Sequence, residues 1–218
     1  MVRSLVLFLF LVGCSVPKTM LVVSETAGYR HDSIETGVEA ITSIATDMNF
    51  EVIATEDSSL LYGDNYDVVV FLNTTGDILN DAEQNKLKTI VESGAGFIGI
   101  HAAADTEYDW PWYGETLLGA WFVSHPPISE EVIQVVNNSH PSTKHLPKQW
   151  QCRDEWYVFD RTPSHTSILM EVNSHPIAWC DTVGKGRSLY TGRGHTEESY
   201  SDQQFLQHLK GAIEWVSE

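Results

Sequence analysis

Basic residues are scarce in this sequence: 13 Lys and Arg stand against 30 Asp and Glu, giving a formal net charge of -17 over 218 residues. Such a balance repels phosphate backbones and anionic headgroups, which excludes nucleic acid as a partner and limits membrane contact to some device other than charge. Long apolar runs are missing too. The stretch from Leu5 to Val12 is too short to cross a bilayer as a helix. No internal repeat or low-complexity segment divides the chain. Gly184-Lys185-Gly186 lacks the spacing of a phosphate-binding loop and reads as a hairpin turn. Cysteine is limited to three residues; nothing brings Cys152 and Cys180 together, so a disulfide and two free thiols both stay open.

What is present suffices for one substantial core, since 42% of the residues are hydrophobic and 11% aromatic. One domain is expected. The N-terminus reads as targeting rather than fold. A positive residue at Arg3, the short apolar run and Leu11-Val12-Gly13-Cys14 resemble a bacterial lipobox, in which the cysteine is lipidated after cleavage. Residues 1–13 are then a signal peptide, 14–18 a tether and 19–218 the folded domain. Ser15 after Cys14 points to an outer-membrane lipoprotein facing the periplasm, held to the membrane by its lipid alone.

The folded part alternates strand and helix patterns. Thr19–Ser24, Phe50–Thr55 and Tyr66–Leu72 read as strands. A helix with Ile34, Val38, Ile41, Ala45 and Met48 on one face, capped by Asp32 or Ser33, lies between the first two. A second helix begins at Asp81 and ends at Gly94. The glycine-punctuated run Gly96-Phe97-Ile98-Gly99-Ile100 then reads as a strand buried on both faces. Further strand candidates are Glu131–Val136, Trp150–Phe159, Ser167–Val172, Pro176–Cys180 and Arg187–Thr191, with a short helix from Gly114 to Gly119 and an amphipathic one from Asp202 to Val216. This order predicts an α/β, three-layer, flavodoxin-like fold with a mostly parallel central sheet.

In such sheets ligands bind beyond the strands' C-terminal ends. His101 stands there, on a strand-turn-helix elbow of the kind that exposes one side chain. His31 follows the first strand and His195 the last, so all three imidazoles face one crevice. Asp105 and Glu155 are the carboxylates expected to share acid and base duties with them. Asp154 reads as solvated beside Arg153. Tyr29, Tyr108, Trp110, Trp112, His125, Trp156 and Tyr157 are candidates for substrate contact, since aromatic faces stack on sugar rings. His31, His101 and His195 suit a divalent ion such as zinc, although no short ligand spacing marks them; a metal-free acid/base site is the other reading. His140, His145, His165, His175 and His208 are read as structural or surface residues.

Six motifs in order, Thr26–His31, Gly99–Asp105, His125-Pro126, Asp154–Tyr157, His175–Trp179 and Gly194–Thr196, resemble the trehalose-utilisation, or ThuA-like, domain. The resemblance implies a class I glutamine-amidotransferase-like fold and a role in bacterial carbohydrate catabolism. Amidotransferases of that class carry cysteine in a Gly-x-Cys-x-Gly elbow, whereas this chain reads Gly99-Ile100-His101-Ala102-Ala103. Without a thiol no thioester forms, which excludes a glutaminase. Two functions are weighed: a hydrolase, lyase or isomerase acting on a glycoside or keto-sugar, and a sugar-binding lipoprotein without turnover. Clustered imidazoles favour the enzyme.

Overall fold

The computed structural model describes residues 16–63, 65–164 and 166–218. The stretch expected to be a lipobox, with Cys14, lies outside them. Among the described residues no helix is long and apolar enough to cross a membrane.

The described residues form eleven strands: β1 (Lys18–Val23), β2 (Phe50–Thr55), β3 (Val68–Leu72), β4 (Gly96–Ile100), β5 (Phe122–Ser124), β6 (Ser129–Val135), β7 (Gln149–Asp154), β8 (Val158–Phe159), β9 (Ser167–Val172), β10 (His175–Val183) and β11 (Gly186–Thr191). The main helices are α1 (Ile34–Asp47), α2 (Asp81–Ser93) and α3 (Gln203–Val216). Nine strands form one sheet in the order β2-β1-β3-β4-β11-β10-β9-β6-β7, while β5 and β8 make a separate ribbon. The first five are mutually parallel and carry the expected flavodoxin-like order. From β11 onward every pairing is antiparallel, with two-residue hairpins joining β9 to β10 and β10 to β11 in place of crossover helices.

The alternation of side chains across the pleat explains the layers. Met20 and Val22 of β1 and Ile98 and Ile100 of β4 face α1 and α3, joining Ile41, Ala45, Phe205 and Leu209 in one core. Leu21, Val23 and Phe97 face the other way, toward Leu87 and Val91 of α2 and toward Tyr113, Leu117 and Leu118. A strand that must fill both cores has no polar face, which is why β3 and β4 are buried throughout.

Three local expectations change. The segment 112–118 winds as a π-helix, with Gly114 under the Trp121 ring, where a Cβ would lie 2.0 Å from a ring atom. The long strand expected from Trp150 to Phe159 is broken after Asp154. Ser33 stands at the N-cap of α1 without capping it; its hydroxyl instead donates to Gly194 O at 3.0 Å and accepts from Asn73 Nδ2 at 3.0 Å. Cys152 and Cys180 are buried free thiols.

Candidate functional site

His101 leaves β4 with φ of 48°, a left-handed conformation that a side chain adopts only when its surroundings hold it there. A 3-10 turn, His101–Asp105, follows, so the elbow is as sharp as the small residues Ala102, Ala103 and Ala104 suggest. Tyr190 Oη donates to the His101 carbonyl at 2.9 Å. The ring is buried, and its Nδ1 lies 2.8 Å from the Gly192 carbonyl. A carbonyl only accepts, so the proton sits on Nδ1 and Nε2 offers its lone pair to the crevice.

Two further groups meet that nitrogen. His195 Nδ1 is 3.2 Å from His101 Nε2, Glu155 Oε2 is 3.5 Å from it, and His195 Nδ1 and Glu155 Oε2 are 3.3 Å apart. His31 is the fourth member: its ring lies edge-on to those of His101 and His195, with centroids 5.1 Å away in each case. One donor atom from each of the four lies within 4.8 Å of all the others. The strand ends expected to supply the histidines therefore do so, with Glu155 entering from the end of β7.

The electrostatics follow from burial and from this proximity. Burial first, then the neighbouring His101 and His195 rings, pushes His31 down to about 3, and its buried Nδ1 has no hydrogen-bond partner. Burial alone would raise the Glu155 carboxyl, but the His101 and His195 imidazoles set against it overcome that and hold the group well below the carboxylate range. His195 moves up, chiefly through its hydrogen bond to Glu155. The other oxygen of Glu155 lies 2.9 Å from His125 Nδ1. That nitrogen is also 3.0 Å from the Pro126 carbonyl; with two acceptors before it, Nδ1 carries the proton and Nε2 is left to the crevice mouth.

Asp154 is the residue that sequence reasoning misjudged. It is fully buried rather than solvated. Its Oδ1 accepts from the backbone N–H of Glu155 at 2.9 Å and of His195 at 3.1 Å. Its Oδ2 accepts from Gly194 N at 3.0 Å and Ser199 Oγ at 2.7 Å, and Arg193 Nε lies 3.5 Å away. One carboxylate thus fixes the backbone of two cluster residues. A signal for it existed: in β7 the buried positions alternate as Trp150, Cys152 and Asp154, which puts the aspartate on the inward face.

A cavity of about 310 Å³ opens over the cluster, lined by Tyr29, His31, Asp105, Phe122, His125, Glu155, Tyr157 and His195. The Tyr157 ring packs on His101 at 4.3 Å and on Phe122 at 4.2 Å. Burial raises the Asp105 carboxyl above its ordinary value, against the opposing hydrogen bond from Tyr108 Oη at 2.6 Å. Other expected contacts are not brought here. Trp110 and Trp112 pack on each other at 5.0 Å, and Trp112 Nε1 donates to Glu92 of α2, so they complete the α2 layer. Tyr108 stacks on Trp121, and its hydroxyl backs two crevice residues, Asp105 at 2.6 Å and the Phe122 carbonyl at 3.0 Å. Trp156 is buried beside the crevice with Nε1 donating to Ser129 O. Phe122 lines the crevice without having been singled out, for a lone aromatic on a three-residue strand carries no distinguishing pattern.

A family model described as ThuA, trehalose utilisation, matches residues 19–216. No curated protein matches the chain. A solved ThuA-like protein from Bacteroides uniformis ATCC 8492 is similar at 25% identity and a TM-score of 0.75, over 92% of each chain. Another, from Parabacteroides merdae ATCC 43184, gives 20% identity and a TM-score of 0.78, over 92% of this chain and 90% of that one. The same fold matches 31% of a beta-galactosidase from Bacillus circulans sp. alkalophilus, with a TM-score of 0.62 at 15% identity over 92% of this chain.

Proposed function

Because the chain belongs to the ThuA, or trehalose-utilisation, family, we propose that it is a divalent-metal enzyme of carbohydrate catabolism, acting as a hydrolase, lyase or isomerase on a glycoside or keto-sugar. The observation that carries this reading is the triangle of donor atoms on His101, His195 and Glu155. Nitrogen and oxygen ligands at about 2.0–2.1 Å around a tetrahedral ion stand about 3.3–3.4 Å apart, and the three edges here are 3.2, 3.3 and 3.5 Å. His31, held neutral by burial, is the outlying fourth donor. Imidazole and carboxylate together suit zinc. Such an ion, when bound, supplies a Lewis acid that polarises a sugar oxygen.

The chain's own residues account for the remaining requirements. Tyr157 and Phe122 give a sugar ring an apolar wall, and Tyr29, 64% exposed, forms the lip. Asp105 and the Nε2 of His125 flank the cavity and would move protons at the substrate, while His101, His195 and Glu155 would hold the ion, with outlying His31 leaving its fourth position open to a sugar oxygen. A sugar-binding protein without turnover needs no such converging imidazoles. Incubating the zinc-loaded protein with trehalose, other glycosides and their keto derivatives, and following product by mass spectrometry, tests the activity. Saturable sugar binding with no product from any of them would leave the binding reading instead.

A further inference from the structure

Beyond the metal crevice, and resting on the carbohydrate reading of it, we infer a second sugar subsite, so that the substrate spans two rings. A neighbouring cavity of about 240 Å³ is lined by Trp156, Ile177 and Val172 on its apolar side and by Glu131, Asn173 and His175 on its polar side. That is room for about eight waters at liquid density, the scale of a single six-membered ring. Tyr157 lines both cavities and is their shared wall. His125 lines the crevice and Pro126, the next residue, lines the second cavity.

The subsite is built rather than incidental. Trp156 Nε1 is fastened to Ser129 O at 3.1 Å. Glu131 is pinned by Asn173 Nδ2 at 3.0 Å and Ser129 Oγ at 3.3 Å, which orients an acceptor toward incoming hydroxyls. Asn173 and Ser174 make the two-residue turn between β9 and β10, both with positive φ, the geometry of a tight hairpin. The floor is also tied to the first site. Gly192 N donates to the Ile177 carbonyl at 2.6 Å, and the Gly192 carbonyl receives His101 Nδ1. An apolar floor with a fixed carboxylate at its rim matches a sugar ring, which has an apolar face and a hydroxyl edge; a purely apolar group would strip water from Glu131 and leave its charge only the two neutral donors Asn173 and Ser129.

Calorimetry on the zinc-loaded protein with glucose, trehalose, maltose and cellobiose tests the inference, using Glu131→Ala and Val158→Trp beside the parent. Val158 is exposed at the cavity's edge, so the indole fills the space without entering the core. At least one disaccharide should bind tenfold or more tighter than glucose, and both variants should lose that preference while keeping their glucose affinity and zinc content. Disaccharides no tighter than glucose, or a preference that survives both variants, overturns the subsite alone. Failure of every sugar to bind while zinc is retained overturns both the subsite and the carbohydrate reading.

Discussion

A carboxylate that lines no cavity governs the shape of the metal crevice. Asp154 holds the N–H groups of Glu155, Gly194 and His195 at once, and two of those residues carry donor atoms. Asp154→Asn keeps the size of the side chain but replaces one acceptor oxygen with a donor, so at least one of those backbone contacts becomes repulsive. Zinc affinity should fall roughly 10–100-fold, the usual effect of removing a ligand's support, while circular dichroism stays native. Competitive titration against a chromophoric chelator reads this directly; an unchanged affinity would return Asp154 to simple packing. The three histidines were legible in the sequence because each follows a strand that ends at one sheet edge. Asp154 was not, because its neighbours Arg153 and Glu155 suggest a solvated run and mask the inward alternation of Trp150, Cys152 and Asp154. Trp110 and Trp112 misled in the opposite sense, since aromatic richness gives no direction and both rings turn to α2.

Helix α3 and the loop between β6 and β7 meet through two histidines outside the crevice. His208 Nδ1 donates to the Ser142 carbonyl at 3.1 Å, and His140 packs on Trp215 with its Nδ1 2.8 Å from Ser142 Oγ. Of the structural or surface roles expected from sequence, burial leaves the structural one for both, and burial is the first cause that lowers each to about 4. The sign is fixed by where protons bind. Between the ordinary imidazole value of about 6.5 and the folded value near 4, the unfolded chain holds the proton and the folded chain does not, so stability rises with pH across that window and is lost as pH falls through it. Each such group contributes at most about 1.4 kcal/mol per pH unit. Urea unfolding in the presence of chelator, from pH 7.5 to 4.5, should show this decline, and His208→Asn should flatten it. An equal slope in the variant would mean that His208 does not supply the linkage. The parallel order β2-β1-β3-β4 was readable from strand and helix periodicity. The antiparallel half was less so, because its hairpins are set by turn residues such as Asn173-Ser174, whose handedness the hydrophobic pattern does not encode.

For the whole molecule, a strongly acidic domain gains nothing from anionic lipid by charge, and we propose covalent lipid as its means of membrane attachment. The lipobox-like stretch ending at Cys14 would supply that anchor, and Ser15 would direct it to the outer membrane. Cys14→Ala should abolish acylation and shift the protein from the membrane to the soluble fraction; equal membrane retention of the variant would contradict the proposal. The same acidity favours cation capture, and the buried cluster is where the carboxylate and three imidazoles converge.

The most direct measurement is the metal content of untagged protein, purified without chelator, dialysed against zinc and analysed by plasma mass spectrometry beside Glu155→Gln and His101→Ala. Glu155→Gln preserves shape and guards against a folding defect at the strained His101 position. The geometry predicts about one zinc per parent chain and less than a tenth of that in each folded variant. A folded parent that retains no divalent ion, or a Glu155→Gln variant that retains as much as the parent, would contradict the metal site and leave a metal-free imidazole-carboxylate crevice in its place.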